Sequence, residues 1–358
     1  MHQLIGRLLL FVAAYFVGVS VGEAKQFAYV SLDGENRIAV YAIDKETGEL
    51  TPRPHVETPG PPGGLTSDPR SRFLFASLRR AGKLVSFRIG EDGGLTLINT
   101  VDAGADPAYV AMDRTGRFLL TAYYVAAKVS VHRIGADGSL SEKPIQEIST
   151  DDKAHAIMTD KNNRYAFVPH TGPNAIYQFR FDGKTGLLSP NEPLIVDTGK
   201  STGPRQLAFH PKRDVVFFDY EQGSAIAAYG LDRETGQLSF RERLPSIPDD
   251  FTATNSNARI EIHPTGRFVY VANRGHDSLA GYRVDRETGK LTSLGQTPTE
   301  ATPRGFTITP FGRFLYAAGQ SSGRLAAYRI HQKTGALTRF ATYEVGKQPW
   351  WVHVVRLR

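Results

Sequence analysis

Apolar residues in this chain come in short runs of four to six, either alternating with polar residues or continuous. Each run is cut off by a turn rich in Gly, Asp, Asn, Pro or Thr. A period of two, and apolar runs of that length, predict β-strands; a helix would need apolar positions spaced by 3.6 residues over ten or more positions. The runs repeat in a fixed order. A turn followed by an aromatic-led strand recurs as SRFLFAS, GRFLLTA, NRYAFVP, RDVVFFD, GRFVYVA and GRFLYAA. A strand of the form VYAI, VSFRI, IYQFRF or LAAYRI follows each, and then a T-G-x-L element or a close relative of it. The leucines of that element, Leu50, Leu95, Leu140, Leu188, Leu238, Leu291 and Leu337, are spaced by 45, 45, 48, 50, 53 and 46 residues.

Each of the seven copies therefore reads as four short strands. Four strands at a period of roughly 40–50 residues is the signature of a β-propeller blade, although the WD dipeptide of one large propeller class is absent. The first copy starts at Phe27, at the second-strand position, with no inner strand before it. The missing piece lies at the other end, where PWWVHVV (Pro349 to Val355) looks like an inner strand and the chain then stops. The expectation is an all-β, seven-bladed propeller spanning residues 25–358, its first blade closed by the C-terminal strand.

A repeat separates scaffold from chemistry. Arg72, Arg117, Arg164, Arg267 and Arg313 recur at one turn and read as structural, as do His210 and His263 before their turn prolines. Two other slots vary from copy to copy. Nine residues before the turn position, at the entry of the inner strand, stand Gly63, Ala108, His155, Arg205, Ala258 and Arg304, with Trp350 in the closing strand. Seven residues after it, where the second strand meets its loop, stand Asp33, Arg79, Tyr124, Thr171, Glu221, Arg274 and Gln320. The first two strands of a blade are antiparallel, so both slots fall at the same end of every blade. That predicts a ring of His155, Arg205, Glu221, Arg274 and Arg304 around one mouth of the central channel. In the NRGHDS segment, His276 and Asp277 read as residues that order their own loop. Ser278 lacks the G-x-S-x-G context of a hydrolase nucleophile.

The N-terminus departs from the repeat. Arg7 precedes a nearly all-apolar run from Leu8 to Val21, and Gly22 and Ala24 put small residues where a signal peptidase reads. That predicts a secretory leader over residues 1–24, a periplasmic or extracellular mature protein, and no membrane association after cleavage. The 358 residues contain no cysteine, which excludes disulfides, thiolate metal sites and cysteine nucleophiles. The net charge of +7 favours anionic ligands. The basic residues are interspersed with acidic ones, without the Lys/Arg runs and interleaved aromatics of a nucleic-acid binder. No His, Asp and Glu set has metal-ligand spacing, so no metal or other cofactor is expected. A small anionic or sugar-like molecule is the expected partner, and a monomer the expected state.

Several arginines at one mouth can hold a carboxylate or phosphate and stabilise an oxyanion, while a nearby histidine or glutamate moves a proton. The motifs GPRQLAFHP (Gly203 to Pro211), IHPTGRFVYVANRGHDS (Ile262 to Ser278) and GKQPWW (Gly346 to Trp351), with Glu221, Arg304 and Gln320, carry a resemblance. From about Phe27 to the C-terminus the chain resembles the propeller-type lactonase family, which includes bacterial 6-phosphogluconolactonases and carboxymuconate-lactonizing enzymes. The resemblance implies hydrolysis of a sugar lactone, with His155, Arg205, Glu221 and Arg274 as the active-site residues. Arg304, Gln320, Tyr124, Arg79 and Asp33 stand where they would contact substrate. The chain departs from the family's pattern at Lys153, His170, Gln206 and Arg259, so a shifted substrate is expected. Two other readings stay open: a non-catalytic exported propeller that binds an anionic ligand or protein, and a lactonizing isomerase using the same residues.

Overall fold

The computed structural model describes residues 24–357, and the leader expected over residues 1–24 lies outside them apart from Ala24. Among the described residues, 28 strands and a single 3₁₀ turn (Arg79–Ala81) make up the regular structure. The strands form seven four-stranded antiparallel sheets, the blades of a propeller. Ring closure is as the sequence predicts. Pro349–Leu357 pairs antiparallel with Lys25–Leu32 and supplies the inner strand of blade one, so the two ends of the fold lock in one sheet.

Local chemistry explains why each repeat folds this way. The glycines of the T-G turns, Gly48, Gly93, Gly138, Gly186, Gly236, Gly289 and Gly335, all have φ between 75 and 91°. An L side chain there would be strained. Space is short as well: a Cβ on Gly335 would strike the ring of Phe268, and one on Gly48 the ring of Phe314. Those rings lead the second strands of the preceding blades, so each T-G turn is also a joint between blades. Tyrosines reinforce it. The hydroxyls of Tyr29, Tyr270 and Tyr316 donate to the carbonyls of Gly93, Gly335 and Gly48 at 2.9, 2.7 and 2.7 Å, the last of these across the ring closure.

The turn between inner and second strands, at the far end from the predicted mouth, is capped by a carboxylate. Asp113 Oδ1 accepts from the amides of Arg117 and Phe118 at 2.8 and 2.9 Å, and Asp160 does the same for Arg164 and Tyr165. In blade five His210 takes over: its Nδ1 accepts from the amides of Lys212 and Arg213 at 3.1 and 3.0 Å. Two of the turn arginines, Arg117 and Arg313, reach across to the next blade. Arg313 Nη1 donates to the Lys45 carbonyl at 2.8 Å, and its guanidinium lies 5.5 Å from the Phe314 ring. These histidines and arginines are scaffold. What remains free to vary is the opposite end of each blade.

Candidate active site

The inner strands present their first residues through one repeated irregularity. Pro204 pairs with Tyr220 and Gln206 with Asp219, which leaves Arg205 as the extra residue of a β-bulge. Blade seven does the same, with Pro303 and Gly305 paired and Arg304 left over. Trp350 in blade one and Ala108 in blade three follow the same pattern, and the inner strand of blade six shifts register between Asn257 and Ile260. Proline has no amide to give to the ladder and suits a strand's first position, while a bulge re-aims the residue beside it. His155 stands just before the short strand Met158–Thr159, its amide bonded to the Pro169 carbonyl at 3.0 Å. Glu221 follows the strand Val215–Tyr220, and Arg274 ends the strand Phe268–Arg274.

These positions converge. Arg274 Nη2 donates to Glu221 Oε1 at 2.6 Å, and Arg205 Nε lies 3.6 Å from Glu221 Oε2 as an ion pair. Tyr124 packs edge-on to His155, ring centroids 5.5 Å apart, and the Arg79 guanidinium sits 4.9 Å from the same tyrosine ring. Arg79 is tethered in turn to Asp106 at 3.2 Å. Arg304 stacks on Trp350 at 3.6 Å. The cluster is recessed: His155 is 4% exposed and Arg205 2%.

Positive charge is in excess here. Arg205, Arg274 and Arg304 converge around Glu221, with Arg79 close to His155 and Arg205, and several of their N–H groups are idle. Arg205 Nε and Nη1, Arg274 Nε and Arg304 Nε are buried and have no hydrogen-bond acceptor among the described residues. Buried N–H donors gain most from a strong acceptor, so this cluster is suited to receive an anionic or strongly polar group. Burial, with Arg274 close by, pushes the Arg205 guanidinium down to about 10. Burial and the other three arginines hold Arg304 well below its usual value. Burial also holds His155 well below the usual imidazole range, helped by Arg205, Arg79 and Arg304, so the ring is neutral. For Glu221, burial acts to raise the carboxyl, but Arg205 and Arg274 outweigh it and the group stays ionised below the ordinary carboxylate range.

Not every expected residue joins the cluster. Asp33 is buried near it but is committed to Arg80 Nη2 at 2.7 Å, and burial raises its carboxyl. Gln320 does not join: it lines a separate groove on the rim with Arg37, Ser321, Glu344 and Lys347. His170 is sealed away from the mouth, its ring nitrogens 2.9 Å from the Val168 carbonyl and from Thr150 Oγ1. Gln206 and Arg259 meet each other deeper in the channel, with Arg259 Nη1 3.2 Å from Gln206 Oε1 and its guanidinium 4.1 Å from the Trp351 ring. Sequence reasoning missed Asp219. It stands two residues before Glu221, near the end of the strand Val215–Tyr220. Its Oδ1 accepts from the Gln206 amide at 2.7 Å, Oδ2 has no partner among the described residues, and burial against the pull of Arg205 raises it to about 6.

The fold and this cluster define a class: a closed seven-bladed propeller with an arginine-rich, recessed channel mouth. Comparison narrows it. The profile of the "Lactonase, 7-bladed beta-propeller" family matches residues 21–354, and the chain belongs to that family. A 6-phosphogluconolactonase of Pectobacterium carotovorum is 35% identical over 333 residues, covering 93% of this chain and 99% of that protein. One from Yersinia enterocolitica is 33% identical over 334 residues, covering 93% and 99%. Among solved structures, the periplasmic gluconolactonase of Pseudomonas aeruginosa aligns with a TM-score of 0.86 at 24% identity, over 93% of this chain and 99% of that one. A Lactobacillus plantarum protein aligns at 0.85 and 23%, over 93% and 100%. The structural matches speak to the fold, and the closer sequence relatives support lactone hydrolysis as the class of reaction.

Proposed function

We propose that the protein hydrolyses a sugar lactone, with water attacking the ring carbonyl at the channel mouth. The observation that carries this reading is the Glu221 carboxylate held between Arg205 and Arg274, with unsatisfied arginine donors around it. Glu221 is the general base: it is ionised, and its side chain is 21% exposed, enough to reach a water. His155 is better suited to donating than to accepting. Its Nδ1 is buried with no partner among the described residues. A proton there would be an orphaned buried donor, which is rarer than an orphaned acceptor, so the proton is assigned to Nε2. A neutral imidazole N–H and the free N–H groups of Arg205 then stabilise the tetrahedral oxyanion. As the intermediate collapses, the ring oxygen leaves as an alcohol and takes up the proton that Glu221 removed from water.

Arg304 and Arg79 flank the reacting centre and can take an anionic or hydroxyl-rich end of the substrate. The leader expected over residues 1–24 favours an unphosphorylated sugar lactone, because sugar phosphates are kept inside the cytoplasmic membrane. Proton release from gluconolactone and from its 6-phosphate, measured against the spontaneous rate, tests the reading. The wild type is expected to exceed a His155→Ala/Glu221→Ala double variant by at least about a hundredfold on one of the two. Equal rates for the two proteins on a full lactone panel would overturn it. The recessed position of His155 and Arg205 also supports an enzyme over a flat binding face.

A further inference from the structure

Arg274 comes from blade six and Glu221 from blade five, so their 2.6 Å contact crosses a seam between blades. One residue holds both sides of that seam through its main chain. The Asn257 amide donates to the Glu221 carbonyl at 3.2 Å, and the Asn257 carbonyl accepts from Arg274 Nη2 at 2.8 Å. That carbonyl lies at the point where the inner strand Ser256–Ile262 shifts register, between Asn257 and Ile260.

The Asn257 side chain holds this main chain in place. It is fully buried; Nδ2 donates to the Ala225 carbonyl of blade five at 2.9 Å, and Oδ1 accepts from Ser246 Oγ at 2.9 Å. The Ser246 hydroxyl is shared with Asn273 Oδ1 at 2.8 Å, and Asn273 immediately precedes Arg274. Asn273 Nδ2 donates to the Ser246 carbonyl at 2.8 Å and to Ser278 Oγ at 3.1 Å. The connection between the two blades, the residue under Arg274 and the carbonyl that holds its guanidinium are thus one buried amide–hydroxyl network. Such networks are rigid when every member is satisfied and loosen sharply when one is removed.

We propose that Asn257 is a positioning residue, fixing the Arg274 guanidinium against the Glu221 carboxylate across the seam between blades five and six. The role rests on the lactonase reading for its kinetic consequence but not for its structural one. Asn257→Ala is expected to lower kcat about tenfold with KM within about twofold, because the pair acts on the transition state more than on ground-state binding. The Glu221 carboxyl, followed by ¹³C NMR and assigned with Glu221→Gln, should titrate about one pH unit higher in Asn257→Ala as the guanidinium drifts away. In an Arg274→Ala background the same change should cost less than about twofold, since the two act as a unit.

An unmoved Glu221 titration, or a full tenfold loss on top of Arg274→Ala, would overturn the proposal and leave Asn257 a packing residue. Should Asn257→Ala fail to fold, Ser246→Ala cuts the same network at a hydroxyl and is read in the same way. The titration needs no substrate. A wild type that opens no lactone but whose Glu221 titration depends on Asn257 would sink the lactonase reading alone.

Discussion

At Glu221 two opposing forces meet on one carboxyl: burial disfavours its charge, and Arg205 and Arg274 more than restore it. The acid limb of kcat/KM should therefore lie below the ordinary glutamate range near 4.3, with activity lost only as pH falls through that depressed value. Arg274→Ala should lower kcat/KM by about 10²–10³-fold and move the limb to higher pH. A limb that stays put while the rate falls would remove Glu221 as the base. Repeat comparison singled out His155, Arg205 and Arg304 because a polar or charged residue stands out in a slot that elsewhere holds glycine, alanine or tryptophan, and Glu221 and Arg274 because they occupy the variable slot beside it. Gln320 shows the limit of that logic: a slot fixes where the main chain runs, and this residue lines a groove with Ser321, Glu344 and Lys347 that none of the clustered residues lines. Asn257 was invisible for another reason, since it touches the site through main-chain atoms that any residue type carries.

Within a blade, the T-G-x-L element was legible because one residue answers two demands, positive φ and no room for a Cβ. The two can be separated. Gly335 has φ 80° and faces the Phe268 ring, whereas Gly295 has φ 84° and nothing within 4 Å of an added Cβ. Gly295→Ala is expected to cost about 1–2 kcal/mol from backbone strain, and Gly335→Ala about 1–3 kcal/mol more from overpacking. Urea unfolding of both variants measures the difference; equal losses would mean that the ring simply moves aside. The bulges that aim Arg205 and Arg304 left a weaker trace, a proline before each arginine. Nothing in the sequence says that a proline opening a strand will be followed by a bulge rather than a regular pair, because both satisfy its missing amide. Strand order and blade number could be read directly, while the direction of each mouth residue had to wait for the register.

Across the whole ring, charge is buried unevenly, and this should govern how the molecule responds to acid. His132 and His170 are fully enclosed, His353 sits against Ser67 Oγ at 2.9 Å in the closing strand, and burial lowers each of the three to about 4. Unfolded, each would titrate near 6.5. Below that value the unfolded chain binds protons that the folded one refuses, so stability is complete above about pH 6.5 and is lost as pH falls toward 4. Asp219, raised to about 6, works in the opposite direction, since it takes up a proton in the folded state first. His155, His210 and His263 are lowered by burial as well, and Asp33 is raised like Asp219, so the histidines outnumber the carboxyls and leave a net loss. Each histidine lowered to about 4 is worth on the order of 2–3 kcal/mol at the bottom of the window. His132 makes the sharpest test, because neither of its ring nitrogens has a partner among the described residues. Replacing it with leucine removes a titrating group without breaking a hydrogen bond. His132→Leu should therefore match or exceed the wild type's melting temperature at pH 7 and fall less steeply between pH 6.5 and 4. A melting temperature that declines with pH as steeply in His132→Leu as in the wild type would show that this ring takes up its proton in the folded state, and that acid unfolds the propeller elsewhere.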